Sequence, residues 1–413
     1  MDQNIGLKYG RQTISLPLPE HADILQNREP DKKITPSLFA SRLEDELERM
    51  HPDLSDIAIV VGDKTRLCGY PAYLPILVNT LKDFGADPNQ MTVFIAYGAH
   101  ARQSDDECRS SYGDIYENLR FVHHDCMDDR CFSNLGKTSR GTWVRIRRDI
   151  LDTPFLMTFG AISHHYFAGY GGGRKLIFPG LGHRESIYHN HGLFLDRERR
   201  DLSLFCRSGV LDQNPLSEDL AEFETFRPAD LAVHGILDSK GRVCDLLPGS
   251  GIDHFRNACA ALGKNCEIET AENYDMVVAS CGGFPKDINF IQSHKAIEHA
   301  SKFVHDNGTL IVLAQCPDGI GSNTFLPWFK IGDWDTVFDE LAKNYEGNGG
   351  TALSMMAKLQ RIRILMVTDL DETICRTINV EKISMDHAER LAIQSTGSFA
   401  AIPNAGMLVK IPK

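Results

Sequence analysis

The chain has 413 residues, 42% of them hydrophobic and 24% charged, ordinary globular values in a length that exceeds what one hydrophobic core usually organises, so two domains are expected. No apolar run approaches the ~20 residues needed to span a bilayer. A formal net charge of -12 disfavours generic nucleic-acid binding, which draws its affinity from Lys and Arg meeting phosphates, although it leaves room for a local cationic pocket.

The opening MDQNIGLKYGRQTISLPLPE shows no charged stretch followed by an apolar one, so a cytoplasmic location is expected. Residues 37–50 carry apolar side chains at helical spacing with Pro36 just ahead. A β-branched run, DIAIVVGD (56–63), follows, then a second helical pattern, YLPILVNTLKDFG, that stops at Gly85. Further strand-like runs are MTVFIAYG (91–98), LMTFGAIS (156–163), DLAVHGIL (230–237), DMVVASC (275–281), TLIVLAQ (309–315) and RILMVTD (363–369). Alternation of such runs with helical patterns predicts an α/β fold with mainly parallel sheets. After Leu237 the polar stretch DSKGRVCDLLPGSG leads into a helix near 252–263. A boundary near 265–272 gives domains 1–268 and 269–413. The second begins with strand 275–281, the turn GGFPKD and the helix INFIQSHKAIEHASKFV, and the closing GMLVKIPK suits a last strand. Eleven cysteines are scattered singly without a CxxC, which argues for reduced thiols over a disulfide framework or a structural zinc site.

Chemistry-bearing residues gather where strands end, which is where open α/β sheets bind ligands. Strand 56–63 runs into Asp63-Lys64-Thr65-Arg66. Arg66 has the fork to hold a carboxylate, and Asp63 the charge to orient a hydroxyl or a basic side chain. An exposed turn with a local ion pair accounts for the same residues equally well. Strand 91–98 ends beside His100, and imidazole is the side chain best matched to proton transfer near neutrality, although most single histidines are structural. The densest segment is SHHYFAGYGGGRK (163–175), with His183, His189 and His191 following. Gly171, Gly172 and Gly173 let backbone amides approach a ligand closely; no Walker A pattern is present. Predominant imidazoles suit nickel or copper better than magnesium or calcium. In the second half, Asp287 is a plausible helix cap, and Gln292 and Lys295 share one helix face at i and i+3.

Together, DxxR after the first strand, GAH after the next, HYFAGYGGGRK, His191 and GGFPKDINFIQSHKA resemble the nickel-pincer-dependent lactate racemase family of 2-hydroxy acid racemases and epimerases, in the same order and over most of the chain. The resemblance implies two α/β domains with the active site in the cleft between them. It also implies a nickel-pincer nucleotide, a pyridinium-3-thioamide-5-thiocarboxylic acid mononucleotide, bound covalently to Lys175 near Gly171, Gly172 and Gly173. His191 would ligate the nickel, with His189 as the alternative. His100 and His165 would be the acid/base pair, and Asp63, Arg66, Gln292 and Lys295 would hold the substrate. Inversion at C2 would follow from hydride leaving to the cofactor ring and returning to the other face. The implied partners are a small 2-hydroxy acid and the enzymes that mature the cofactor, with neither nucleic acid nor membrane.

Three departures bear on the substrate. Ile291 stands where lactate-specific members are expected to carry an aromatic hydroxyl, Gly171 replaces a serine, and only Trp328 and Trp334 are near the place of a late-chain tryptophan. An NAD-dependent dehydrogenase would show GxGxxG between a strand and a helix, which is absent. An NAD-independent hydroxy-acid oxidoreductase or a cofactor-free binding protein on the same fold are the remaining alternatives.

Overall fold

The computed structural model describes residues 3–411. The chain forms two compact units, Glu29–Leu193 with Phe205–Lys264, and Met1–Arg28 with Phe194–Leu204 and Asn265–Lys413. The second is thus assembled from three chain segments, whereas the sequence reading makes a single cut at 268. The physical reason lies in the opening hairpin, Gln3–Tyr9 with Gln12–Leu18. Its Ile5, Leu7, Leu16 and Leu18 are buried against Val278, Ile311 and Leu365 of the C-terminal sheet.

The unit holding 29–193 is built on a six-stranded sheet in the order Val243–Gly249, Leu231–Leu237, Phe155–Ala161, Ile57–Gly62, Met91–Ala96, Arg120–His123. All neighbours run parallel except the first pair. Ile57–Gly62 lies near the middle and is buried along its whole length, as expected of a parallel strand covered on both faces. Helix Pro36–Met50 is capped by Thr35, whose hydroxyl accepts from the Leu38 amide at 3.2 Å. It buries Phe39, Leu43 and Leu47 and ends at His51 in the left-handed region. The strand order reverses between Ile57–Gly62 and Phe155–Ala161, because the chain builds outward through 91–96 and 120–123 before returning to the other side of 57–62. Such a switch point is where a doubly wound sheet opens to a ligand.

The other unit holds an all-parallel sheet in the order Glu381–Lys382, Arg363–Val367, Val304–Leu313, Tyr274–Ser280, Phe399–Ile402, Asp23–Ile24. Helix Phe290–Ser301 packs on it, capped by Asn289, whose side chain accepts from the Gln292 amide at 3.0 Å. Asp287, read above as the cap, is buried instead. Its carboxylate accepts from the amides of Gly10 at 2.7 Å and Gln315 at 3.2 Å, which ties the opening hairpin to the end of strand Val304–Leu313. Among the described residues no helix is long and apolar enough to cross a membrane.

Candidate active site

Asp63 follows the last residue of strand Ile57–Gly62 and is buried. One carboxylate oxygen accepts from the Thr65 amide at 2.9 Å and the Thr65 hydroxyl at 2.6 Å; the other meets His100 Nδ1 at 2.6 Å. Burial opposes ionisation of Asp63. The His100 hydrogen bond, the charges of His100 and Arg66 and the Thr65 hydroxyl outweigh it and lower its pKa to about 2. An ionised carboxylate only accepts, so His100 Nδ1 carries the proton and, in the neutral ring, Nε2 carries the lone pair. Arg66 lies 3.9 Å from Asp63, donates to Thr65 Oγ1 at 2.8 Å, and leaves 45% of its side chain exposed, so its fork keeps donors for a ligand.

His165 closes the short hairpin of Ser163–His165 with Gly169–Gly171, which continues from strand Phe155–Ala161. Its Nδ1 accepts from two backbone amides, Phe167 at 3.2 Å and Ala168 at 3.0 Å. In the neutral ring the proton therefore sits on Nε2. The two histidines singled out from the sequence are thus held in opposite tautomers, one by a carboxylate and the other by the backbone.

Gly172 has φ 81°, and a Cβ there would lie 2.2 Å from the Ala161 carbonyl oxygen; at Gly173, φ 52°, it would lie 2.7 Å from the Phe255 ring. Only glycine lets the loop press this closely on the strand end. Gly171 is different, with no positive φ, and its missing Cβ makes room beside the Ser163 hydroxyl. The loop turns directly into the short helix Gly173–Leu176 that carries Lys175. Burial, then the guanidinium charges of Arg66 and Arg174, hold the Lys175 amine well below the usual lysine range. Surroundings that disfavour the ammonium favour the nucleophilic free amine, so this environment suits a covalent attachment.

His191 lies on helix Arg184–Gly192. Burial first, then the charges of Lys175, His100 and Arg66, lower its pKa to about 3, so its imidazole is neutral, as a metal ligand must be. Residues two apart on a helix point roughly 200° away from each other. His189 accordingly faces elsewhere, exposed, with Nε2 donating to the Arg140 carbonyl at 3.0 Å. His183 caps the same helix, accepting from the Glu185 amide at 3.2 Å. Among the described residues no three His, Cys, Asp or Glu side chains are grouped to hold a metal. A metal at His191 would therefore take most of its donors from a bound group. The glycine cradle, an amine whose charge is disfavoured and the neutral His191 imidazole fit a tethered, metal-bearing nucleotide.

Arg66 and His100 meet at the buried Asp63 carboxylate, and the Arg66 charge reaches both Lys175 and His191, so a permanent cation stands at this site in a chain of net charge -12, a local field that favours anionic ligands. Gln292 and Lys295 belong to the other unit, where Lys295 Nζ donates to Gln292 Oε1 at 2.7 Å. Two contributors escaped the sequence reading. Thr65 completes the Asp63 turn, and D-x-T at a strand end was the available signal. His234 lies buried with its ring 3.1 Å from where a Gly173 Cβ would stand, and nothing in its sequence context marks it.

Comparison with known proteins identifies the family of the chain. Residues 9–203 match the family model of the lactate racemase N-terminal domain and residues 269–404 that of the lactate racemase C-terminal domain. The lactate racemase of Thermoanaerobacterium thermosaccharolyticum is 28% identical over 341 residues, covering 79% of this chain and 78% of that protein. That of Lactiplantibacillus plantarum is 25% identical over 319 residues, covering 77% and 72%. The solved lactate racemase apoprotein from T. thermosaccharolyticum superposes with a TM-score of 0.90 at 24% identity, covering 99% of this chain and all of that one. A Thermotoga maritima protein shares the fold at a TM-score of 0.71 and 14% identity, covering 93% of this chain and 100% of its own. The two domain models together take in most of the chain, and it belongs to the lactate racemase family.

Proposed function

We propose that this protein is a racemase or epimerase that inverts C2 of a 2-hydroxy carboxylate, working with a nickel-pincer nucleotide held covalently by Lys175 and through nickel by His191. The observation that carries the reading is that the Gly172–Gly173 turn leads straight into Lys175, whose surroundings disfavour its charge, and that Lys175 lies close enough to His191 to lower the pKa of that imidazole; two relatives named lactate racemase support it. When bound, the group supplies a ring carbon that accepts hydride from C2 and gives it back. The chain's own residues do the rest. His100, fixed by Asp63, takes the hydroxyl proton at Nε2, and His165 presents its Nε2 proton to the same kind of oxygen. Arg66 binds the carboxylate. The substrate class is drawn as 2-hydroxy carboxylates because Ile291 packs against the apolar core of its unit and brings no hydroxyl of its own. Protein produced in a host with the maturation enzymes tests the proposal. It should carry nickel and a nucleotide mass on Lys175, and interconvert the enantiomers of a 2-hydroxy acid.

Two substitutions probe the assigned roles. Asp63→Asn is expected to lower kcat by about 10²–10⁴-fold, the usual worth of a positioned proton-transfer group. An amide in place of the carboxylate no longer dictates which nitrogen of His100 carries the proton. KM should change much less, and equal loss in both constants would argue for a merely structural Asp63. Arg66→Lys keeps the charge but loses the two-pronged contact, so KM for the hydroxy acid is expected to rise by about tenfold or more, in line with ~1.5–3 kcal/mol for a hydrogen bond to a charged group. Hydroxy amides turned over as well as hydroxy acids would remove the carboxylate role altogether.

A further inference from the structure

Helix Pro215–Glu224 was not singled out by any motif, yet its first two turns bond to all three segments that carry His165, Lys175 and His191. Its cap, Asn214, donates from Nδ2 to the Phe167 carbonyl at 2.8 Å, inside the turn whose amides hold His165 Nδ1. One turn on, the Ser217 hydroxyl accepts from Arg174 Nη2 at 2.8 Å, next to Lys175. Asp219 then accepts from Asn190 Nδ2 at 2.7 Å, next to His191, and from the hydroxyls of Thr138 at 2.5 Å and Thr142 at 2.7 Å. Asn190 Nδ2 also reaches the Leu216 carbonyl at 3.3 Å. Asn214, Ser217, Asp219 and Asn190 are all 1% exposed or less.

A fully buried carboxylate that meets only neutral donors is an expensive way to fill space. Among the described residues no cation pairs with Asp219. What such a group provides is direction: the Thr138 and Thr142 hydroxyls orient its two oxygens, and the bond from Asn190 then ties the rotation of helix Arg184–Gly192 to that fixed carboxylate. Burial of an apolar side chain would hold the helix without choosing which residue points at Lys175.

We propose that Asn214, Ser217 and Asp219 are positioning residues that hold His165, Lys175 and His191 in register, with Asp219 setting the direction of the nickel-binding imidazole through Asn190. The assignment of nickel to His191 rests on the function proposed above, whereas the anchoring itself does not. Partners one shell behind a metal ligand typically cost 10–100-fold in metal affinity when removed.

The test uses the full chain, produced with and without the maturation enzymes. In the unloaded chain, Asp219→Asn should speed amide hydrogen exchange at least about tenfold across 184–192 while leaving 173–176 unchanged. Ser217→Ala should do the reverse. In the loaded chain, Asp219→Asn should keep the mass on Lys175 but lose nickel to a chelator about tenfold faster or more. The exchanged pair Asn190→Asp with Asp219→Asn, which reverses donor and acceptor, should restore both readings. If Asp219→Asn does not fold, Thr142→Val removes one donor at the same carboxylate and makes the same comparison. Uniform acceleration of exchange, or nickel retention equal to the parent, would overturn the inference. A parent chain without nickel whose variants still show the local exchange changes would sink the function reading and leave the anchoring standing.

Discussion

Replacing Lys175 by Ala is expected to abolish cofactor retention and activity while leaving the protein folded. The side chain is an amine in surroundings hostile to charge: burial, then Arg66 and Arg174, disfavour the ammonium. Such a position costs stability when the group is charged and yields a nucleophile when it is not. Removing it takes away the only bond that would survive denaturation. Intact mass measured under denaturing conditions should then equal that of the polypeptide alone, and nickel should fall to background. The melting temperature of the unloaded variant should stay level or rise, because the substitution removes an amine whose charge burial and the Arg66 and Arg174 guanidinium groups disfavour. Lys175→Arg should fail in the same way, since a guanidinium stays protonated and does not form the bond. An active, nickel-bearing Lys175→Ala protein would overthrow the tether and with it the proposed function.

The seven strand runs read from β-branched patches all appear as strands, shifted by a few residues, because fully buried parallel strands announce themselves by continuous apolar runs. Strand Val243–Gly249 escaped notice and was taken for a polar connection. It is an edge strand, partly exposed, containing Asp245 and Pro248, and it returns through a tight turn in which the Asp238 carboxylate accepts from the amides of Lys240 and Arg242. Edge strands tolerate Pro and charge, so they lack the pattern that identifies central ones. The opening hairpin shows a different limit: its apolar alternation is legible, but the sheet it covers is built from residues far along the chain. Within the site, residues that follow strand ends and glycine-rich turns were legible because such places must expose functional groups. Thr65, His234 and Asp219 were not, since each acts through a neighbour that only the folded chain supplies. Asp287 was read as a helix cap, because a cap and a buried anchor look alike in the turn just before a helix; Asn289 caps instead, and Asp287 anchors the opening hairpin.

Substrate carrying deuterium at C2 is expected to give inverted product that keeps most of its deuterium, with little solvent label incorporated when protonated substrate reacts in heavy water. The reason lies in what the two histidines are able to do. The C2 hydrogen of a 2-hydroxy carboxylate is very weakly acidic, and imidazole is a poor base for it. They are better matched to the hydroxyl. His100, with its Nδ1 proton committed to Asp63, offers Nε2 as a base, whereas His165, with Nδ1 occupied by two amides, offers Nε2 as a donor. One ring takes a proton from oxygen and the other supplies a hydrogen bond to oxygen, an arrangement that polarises the C–O bond without engaging C2. If neither ring removes the C2 hydrogen as a proton, it does not mix with solvent and returns to the same molecule. Replacing His100 or His165 by Gln should lower kcat by about 10²–10⁴-fold while nickel content and the mass on Lys175 stay at parental levels, because neither residue holds the cofactor in this reading. The loss on changing His100 should be matched by Asp63→Asn, whose effect passes through that ring, and should not be matched by substitutions around His165. Exchange of the C2 hydrogen with solvent in step with each inversion would instead mean that a residue of this chain deprotonates carbon, and the pairing of opposite tautomers would then need another explanation.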